Sequence, residues 1–223
     1  GLPLAACLAT KGFDTIGVDL DAAKVDATNK GIPSIFDPGL KELLRDSHRH
    51  LTATQDIQEA VLDSEVTFIV VPTPSEPEGG FSLKYVLSAC DSIGRALRSK
   101  DDFHLIVLTS TVMPGATQSS VRPALEAASG KRCGTDFGLC YSPEFIALGS
   151  VIRDFLNPDF TLVGEIDQRA GAQIGGQTRR RQIDRRRVQL HQGGRGENLH
   201  ADAGRRDKRE VKERGHQRQI GRQ

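Results

Sequence analysis

The sequence predicts an α/β protein with a doubly wound parallel sheet, and three observations indicate this fold class. First, β-branched and apolar runs alternate with helical patterns over about 165 residues. Second, the run EVTFIVVP is almost continuously apolar, as in strands that are buried on both faces of a parallel sheet. Third, the runs end in loops rich in Pro, Gly, Ser and Thr. Ligands of such sheets bind beyond the carboxyl ends of the strands, so these loops hold the candidate site.

In the first part of the chain, helices and strands are predicted in turn. GLPLAACLATKG indicates a helix over residues 2–11, because its apolar residues recur at helical spacing before a glycine. TIGVDL is predicted to be a strand that ends on Asp19, followed by a helix over residues 21–29. IPSIFDPGLKELL predicts a loop and a short helix that begins near Pro38. HLTATQD indicates a short strand, and IQEAVLDS indicates a helix with Asp56 as its N-cap.

The second part continues the alternation. After EVTFIVVP and a loop rich in Pro and Gly, SLKYVLSACDSIGRALRSK predicts a long helix. Its apolar face consists of Leu83, Val86, Leu87, Cys90, Ile93 and Leu97. FHLIVLTSTVMPG and DFGLCYSPEF each predict a strand that runs into a loop, and FTLVGE predicts the last strand. Between the first two, ATQSSVRPALEAAS predicts a helix that is broken near Pro123. We expect all of these strands to be parallel.

The charge divides the chain into two unlike regions. Residues 177–223 contain 15 of the 30 Lys and Arg residues but only 6 of the 29 Asp and Glu residues. This tail therefore carries a net charge of +9, against −8 for residues 1–176. The last aromatic residue is Phe160, so the tail has little with which to form a core. We expect residues 1–176 to fold and residues 177–223 to be disordered.

Several classes of protein are not expected. No apolar run is long enough to span a membrane. The four cysteines are Cys7, Cys90, Cys133 and Cys140, and none of them is in a C-x-x-C pair. We predict buried, reduced thiols, which favours a cytoplasmic protein, and we predict no metal site.

Six motifs, in order, carry a resemblance to a known family. They are GLPLAACLA, GVDLDAAKV, SIFDPGLKELL, VVPTP, TSTVMPG and YSPEF. Residues 1–176 thereby resemble the N-terminal NAD-binding domain of the UDP-glucose/GDP-mannose dehydrogenase family. Members of the related 6-phosphogluconate and hydroxyacid dehydrogenase branches lack the last three motifs. The resemblance implies a Rossmann-like domain and the NAD-dependent oxidation of an alcohol of a UDP- or GDP-sugar to a carboxylate.

The resemblance also implies a set of cofactor-binding residues. They are Gly1, Asp19, Lys24, Pro72, Thr73, Ser110 and Thr111. Gly1 matches the third glycine of the phosphate-binding loop, and Asp19 matches the acid that binds a ribose hydroxyl and favours NAD over NADP. Lys24 matches a basic residue near the same ribose. Taken alone, each feature has a second interpretation: an acid at a strand end can arise by chance, and VVPTP can be a strand terminator because its prolines stop a hydrogen-bond ladder.

For catalysis, the resemblance points to Thr111 and Glu144. In the resembling enzymes the threonine positions a water, and the glutamate acts as an acid/base or orients water when a thioester is hydrolysed. Glu144, Phe145, Ile146 and Ala147 are expected to bind the sugar substrate. A different interpretation of Glu144 is an acid at a helix N-terminus, where the dipole favours it.

The chain also departs from the family pattern. Leu148 stands where a cofactor-facing glutamate often lies, which points away from the well-known UDP-glucose and GDP-mannose enzymes. The catalytic helix and the Gly-x-Cys-x-x-Lys-Asp segment with its nucleophilic cysteine do not appear. The first strand and two phosphate-loop glycines of the family domain do not appear either. We expect a fragment that is inactive by itself and binds NAD weakly or not at all, whereas complete members form homo-oligomers and supply surface polysaccharide synthesis.

Alternative functions remain open at this point. One is a non-catalytic NAD- or nucleotide-binding module. Another is a nucleic-acid-binding protein that uses the Arg-rich tail, although the tail has no aromatic residue for base stacking. A third hypothesis is that the tail is translated out of frame, because it begins where the family requires a helix. Translating the encoding DNA in the other frames tests this hypothesis, which fails if no hydrophobic helix is recovered.

Overall fold

The computed structural model describes residues 1–145, 149–158, 161–167 and 169–174, together with the backbone of residues 187–189. In chain order, the strands are β1 Thr15–Val18, β2 Leu51–Thr54, β3 Val66–Ile69, β4 His104–Leu108, β5 Phe137–Tyr141, β6 Thr161–Glu165 and β7 Arg187–Gln189. The helices are α1 Leu2–Thr10, α2 Ala22–Asn29, α3 Leu40–Ser47, α4 Ile57–Leu62, α5 Lys84–Leu97, α6 Arg122–Ser129 and α7 Val151–Leu156. Residues 169–174 are also helical.

The strands form two sheets, and together with the helices they confirm the Rossmann-like α/β class. β1 and β2 pair in parallel, and β3 to β7 form a five-stranded sheet in chain order. β3, β4 and β5 are parallel. Within the described residues, β1 and β3 each have a strand partner on one side only, which divides the expected single sheet in two.

One strand direction differs from the prediction. β6 runs antiparallel to β5, with Cys140 opposite Glu165 and Tyr141 opposite Gly164. A parallel connection needs a crossover that packs on the sheet. Here α7, the helix between the two strands, packs against α1 instead, so the chain re-enters the sheet at the edge where β5 ended. The expectation that every strand is parallel is therefore wrong at β6.

The main core surrounds β4, whose five residues are all buried. α5 covers one face of the sheet and presents Val86, Cys90, Ile93 and Leu97 to the core, as its sequence pattern predicts. The prediction that EVTFIVVP is buried on both faces is wrong. β3 is shorter, most of it is only half-buried, and Val70 after it is exposed, because one edge of β3 has no strand partner in the described residues.

The helix predicted to break at Pro123 is continuous with a preceding turn. A π-helical turn, Thr117–Val121, leads directly into α6. Pro123 is the second residue of α6, and because the π-helical turn precedes it, its missing N–H falls inside a continuous helical segment. Pro123 thus lies where the helix changes from π-helical to α-helical hydrogen bonding, and it does not break the helix.

The β1–β2 sheet has a smaller core of its own, formed with α1 and α3. Its buried members are Ala6, Ala9, Leu40, Leu44 and Leu51. The predicted N-caps of the neighbouring helices are present: the Asp21 side chain accepts a hydrogen bond from Ala23 N, and that of Asp56 accepts from Gln58 N and Glu59 N.

Two further predictions concern membrane-spanning segments and the tail. None of the described helices is long and apolar enough to cross a membrane. Within the tail, the structure describes only β7, which pairs in parallel with β6. The expected disorder of the rest of residues 177–223 lies outside the described residues.

Candidate functional site

The candidate residues follow the carboxyl ends of four strands. Asp19 follows β1, Pro72 and Thr73 follow β3, Ser110 and Thr111 follow β4, and Glu144 and Phe145 follow β5. Parallel neighbours place these ends on one edge of the sheet, which is where ligands of such folds bind. The arrangement therefore collects the residues of β3, β4 and β5 at one edge.

Asp19 lies next to the start of α1. The Asp19 carboxylate lies within electrostatic range of the Gly1 backbone nitrogen, where α1 begins. Asp19 Oδ1 accepts a hydrogen bond from Asp21 N at 2.9 Å, which orients the carboxylate. Lys24 Nζ lies 3.8 Å from Asp19 Oδ2, and both side chains are about half-exposed. The three predicted residues Gly1, Asp19 and Lys24 thus lie together.

These features fit a dinucleotide. α1 has no acidic residue in its first turn, and the N–H groups of Leu2 and Leu4 at its start suit a phosphate, whereas Pro3 has no N–H to donate. The half-exposed Asp19 carboxylate can accept hydrogen bonds from ribose hydroxyls.

The loops after β3 and β4 are linked through Ser110. Its side chain is only 7% exposed, and its hydroxyl accepts a hydrogen bond from Val71 N and donates one to Val71 O, both at 2.8 Å. Pro72 and Thr111 are exposed, whereas Thr73 is half-buried. The hydroxyl of Ser110 is therefore bonded to protein backbone, while Thr111 faces solvent at the sheet edge.

The Glu144 carboxylate lies close enough to Cys7, in the middle of α1, to affect the pKa of its thiol. Burial raises the pKa of the Cys7 thiol to about 12, and the carboxylates of Asp37 and Glu144 contribute to this rise. Phe145 is 57% exposed beside it. Glu144 lies outside α7, which begins at Val151, so it is not a first-turn acid of that helix. The predicted residues Ile146 and Ala147, and the departure at Leu148, lie outside the described residues.

Two buried polar residues were missed by the sequence analysis. Asp37 is 6% exposed, its Oδ2 accepts a hydrogen bond from Val151 N at 3.3 Å, and its Oδ1 has no hydrogen-bond partner within the described part of the chain. The buried Thr109 hydroxyl at the end of β4 likewise has none there. Asp37 lies in the motif SIFDPGLKELL, whose Asp-Pro-Gly turn was the available signal.

The cysteines do not provide an activated nucleophile. Burial raises the pKa of Cys90 and Cys140 to about 12, as it does for Cys7, and that of Cys133 to about 11. A nucleophilic cysteine needs a lowered pKa, because the thiolate is the reactive form. Among the described residues, no group of three or more His, Cys, Asp and Glu residues is arranged to hold a metal ion.

Comparison with known proteins identifies close relatives. Over 173 residues, the chain is 41% identical to GDP-mannose 6-dehydrogenase of Pseudomonas aeruginosa, which corresponds to 77% of this chain and 40% of the relative. It is also 41% identical over 171 residues to UDP-glucose 6-dehydrogenase of Haloferax volcanii, or 76% of this chain and 40% of that protein. The chain thus spans about two fifths of the length of these relatives.

Solved structures agree with the sequence comparison. The GDP-mannose dehydrogenase of P. aeruginosa, crystallised as a ternary complex, superposes with a TM-score of 0.81 at 38% identity, covering 85% of this chain and 43% of that one. UDP-glucose dehydrogenase of Pyrobaculum islandicum superposes with a TM-score of 0.79 at 33% identity, over 85% and 43% of the two chains. Both kinds of enzyme are similar to the chain, so the sugar stays open despite the departure at Leu148.

The family itself is shown by a match over residues 1–177 to the description "UDP-glucose/GDP-mannose dehydrogenase family, NAD binding domain". This range covers the two sheets as far as β6 and every candidate residue named above. The chain therefore belongs to the UDP-glucose/GDP-mannose dehydrogenase family, in which it corresponds to the NAD-binding domain.

Proposed function

We propose that the protein containing this chain is an NAD-dependent oxidoreductase that converts an alcohol of a UDP- or GDP-sugar into a carboxylate. The observation that carries this proposal is the gathering of the candidate groups beyond the carboxyl ends of the strands, with Thr111 after β4, Glu144 after β5, and Asp19 after β1. Such strand ends are where a dinucleotide and its substrate bind in doubly wound sheets, and they supply one carboxylate suited to a ribose and another suited to proton transfer.

Each residue has a role in this proposal. The start of α1 binds the pyrophosphate, Asp19 accepts ribose hydroxyls, and Lys24 lies beside that carboxylate. NAD supplies the hydride acceptor. Thr111, exposed at the end of β4, holds a water, and Glu144 exchanges a proton with that water or with the sugar. Phe145 and the neighbouring Ile146 and Ala147 bind the sugar, and Pro72 and Thr73 contact the nicotinamide half.

The proposal extends to the setting of the enzyme. Its relatives are a GDP-mannose and a UDP-glucose 6-dehydrogenase, so a nucleotide sugar is the proposed substrate class. We propose a cytoplasmic homo-oligomer whose product feeds polysaccharide synthesis.

One observation favours a second candidate for this chain alone, namely NAD binding without turnover. All four of its cysteines have a raised pKa, and none resembles the nucleophile that the full oxidation requires. The two candidates make different predictions, because a binding module does not reduce NAD.

A turnover experiment separates them. The whole protein that contains this chain is purified and incubated with NAD and either GDP-mannose or UDP-glucose, and NADH formation is followed by absorbance. We expect turnover with one sugar, and we expect Glu144→Gln to reduce it at least about a hundredfold, the usual effect of a lost acid/base group. Glu59→Gln, which alters a first-turn acid of α4, is the matched control and should have no effect. NAD binding without any NADH formation would instead support the binding module.

A further inference from the structure

Among the described residues, Ser110 is the only one whose side chain forms hydrogen bonds between the loop after β3 and the loop after β4. Its hydroxyl forms two bonds of 2.8 Å with a single residue, Val71, since it accepts from Val71 N and donates to Val71 O. A third contact, to Ile69 O at 3.3 Å, is longer. A hydroxyl has one donor and two acceptor sites, so these bonds use its only proton.

The hydroxyl replaces strand pairing at a point where pairing stops. β3 and β4 pair as far as Ile69 and Leu108. Beyond them the chain reaches Pro72, which has no N–H to donate to a ladder. Val71 is therefore the last residue before Pro72 whose backbone N–H and C=O can both bond to the segment after β4. The Ser110 hydroxyl forms a hydrogen bond with each of these two groups. The side chain thus fixes where the Pro72–Thr73 segment begins.

The same residue also precedes Thr111 directly. Ser110 is buried and Thr111 is exposed, so the two neighbours face opposite environments at the end of β4. Any movement of Ser110 shifts Thr111 through the chain and Thr73 through Val71. We propose that Ser110 is a positioning residue, whose hydroxyl sets the Pro72–Thr73 loop relative to Thr111 in the NAD site. This inference rests on the function proposed above, because it assumes that NAD contacts both loops.

A purely structural role is the competing explanation, and the chain offers a matched control for it. Ser129, at the end of α6, is also buried, donates to Leu125 O at 2.6 Å and accepts from Lys131 N at 3.1 Å. Replacing either serine by alanine removes one donor and one acceptor from a buried site. Ser110→Ala and Ser129→Ala should therefore lower stability by similar amounts, and only the first should affect the NAD site.

The experiment uses the full chain labelled with ¹⁵N. Amide signals of Thr73 and Thr111 are recorded without NAD and during a titration with NAD up to millimolar concentrations. We expect Ser110→Ala to shift both signals and to weaken NAD binding about tenfold, the effect of about one lost hydrogen bond. Ser129→Ala should leave both signals and the affinity unchanged, and Ser110→Thr, which keeps the hydroxyl, should restore both.

Several outcomes would overturn the inference. It fails if Ser110→Ala leaves the Thr73 signal unchanged, or if Ser129→Ala weakens NAD binding equally. If Ser110→Ala does not fold, Ser110→Cys replaces the hydroxyl with a weaker hydrogen-bonding group of similar shape, and the same two signals must still move. Absence of NAD binding in the unaltered chain would count against an NAD site in this chain by itself and not against Ser110, because the amide signals would still decide whether Ser110 links the loops.

Discussion

The β1–β2 sheet and the β3–β5 sheet are held together in different ways. All five residues of β4 are buried, whereas β1 has no buried residue and Val18 is 41% exposed. The cluster around β4 includes residues of α5 and α6, but α2, beside β2, buries none of its residues. Packing of buried side chains therefore stabilises the sheet that carries Thr111 and Glu144, while local hydrogen bonds contribute more of the stability around Asp19.

This difference indicates which kind of substitution should destabilise each half of the site. Around Asp19 the hydrogen bonds of side chains include the N-cap Asp21 and a two-way bridge between Asn29 and Ala53. Around β4, loss of volume should matter more than loss of any single polar group. The four predictions below test this contrast, beginning with the largest expected effect.

The first prediction compares two isoleucines in strands of the two sheets. Ile106 of β4 is fully buried, and Ile16 of β1 is only half-buried. Ile106→Ala should lower the free energy of unfolding by about 2 to 5 kcal/mol, because it removes buried methyl groups and leaves a cavity. Ile16→Ala should cost about 1 kcal/mol, because less apolar area is lost. Denaturant unfolding measures both, and equal costs would show that the contrast between the sheets is wrong.

The second prediction concerns pH and His104, which is buried at the start of β4. Its Nδ1 donates to Ser64 O at 3.0 Å, because a carbonyl oxygen only accepts, and in the neutral ring its Nε2 accepts from the Thr67 hydroxyl at 2.8 Å. Burial, and to a smaller extent the Lys100 charge, lowers its pKa from 6.5 to about 4. Between these values the unfolded chain binds the proton and the folded chain does not. Stability should therefore be complete above pH 6.5 and fall by about 3 kcal/mol as the pH approaches 4.

The control for this pH effect is His104→Gln. This variant starts with lower stability, because the two hydrogen bonds are disturbed, but it loses the part of the acid dependence that His104 causes. The measurement is the free energy of unfolding of both proteins at a series of pH values. Parallel curves for the two proteins would assign the acid sensitivity to other groups.

The sequence predicts the elements well and the contacts between them poorly. Asp19 and Lys24 are found where the motif GVDLDAAKV places them, because helix caps and strand ends are local features. The antiparallel direction of β6 depends on α7 packing against α1, a contact between segments far apart in the chain. The role of Ser110 depends likewise on where β3 and β4 diverge, and Asp37 accepts its hydrogen bond from Val151 N at the start of α7. Such facts follow from tertiary contacts that no short motif encodes.

The third prediction compares two glycines. A Cβ at Gly94 of α5 would lie 2.5 Å from Ala128 Cβ of α6, whereas a Cβ at Gly17 of β1 would meet its nearest atom at an ordinary 3.6 Å. Gly94→Ala should cost about 1 to 3 kcal/mol, because the two helices must move apart. Gly17→Ala should be neutral or slightly stabilising. Thermal unfolding measures both. Adding Ala128→Gly to Gly94→Ala should recover part of the loss, and no recovery would argue against a steric cause.

The last prediction concerns the polar bridge that holds α2. Asn29 Nδ2 donates to Ala53 O at 2.9 Å, and Asn29 Oδ1 accepts from Ala53 N at 2.7 Å. Because α2 buries none of its residues, this bridge is its main side-chain attachment to β2. Asn29→Ala should lower stability by about 1 kcal/mol, measured by denaturant unfolding. Asn157→Ala, which removes one bond of 3.3 Å to Arg153 O, is the control and should cost less. An equal cost would mean that α2 is held by something other than this bridge.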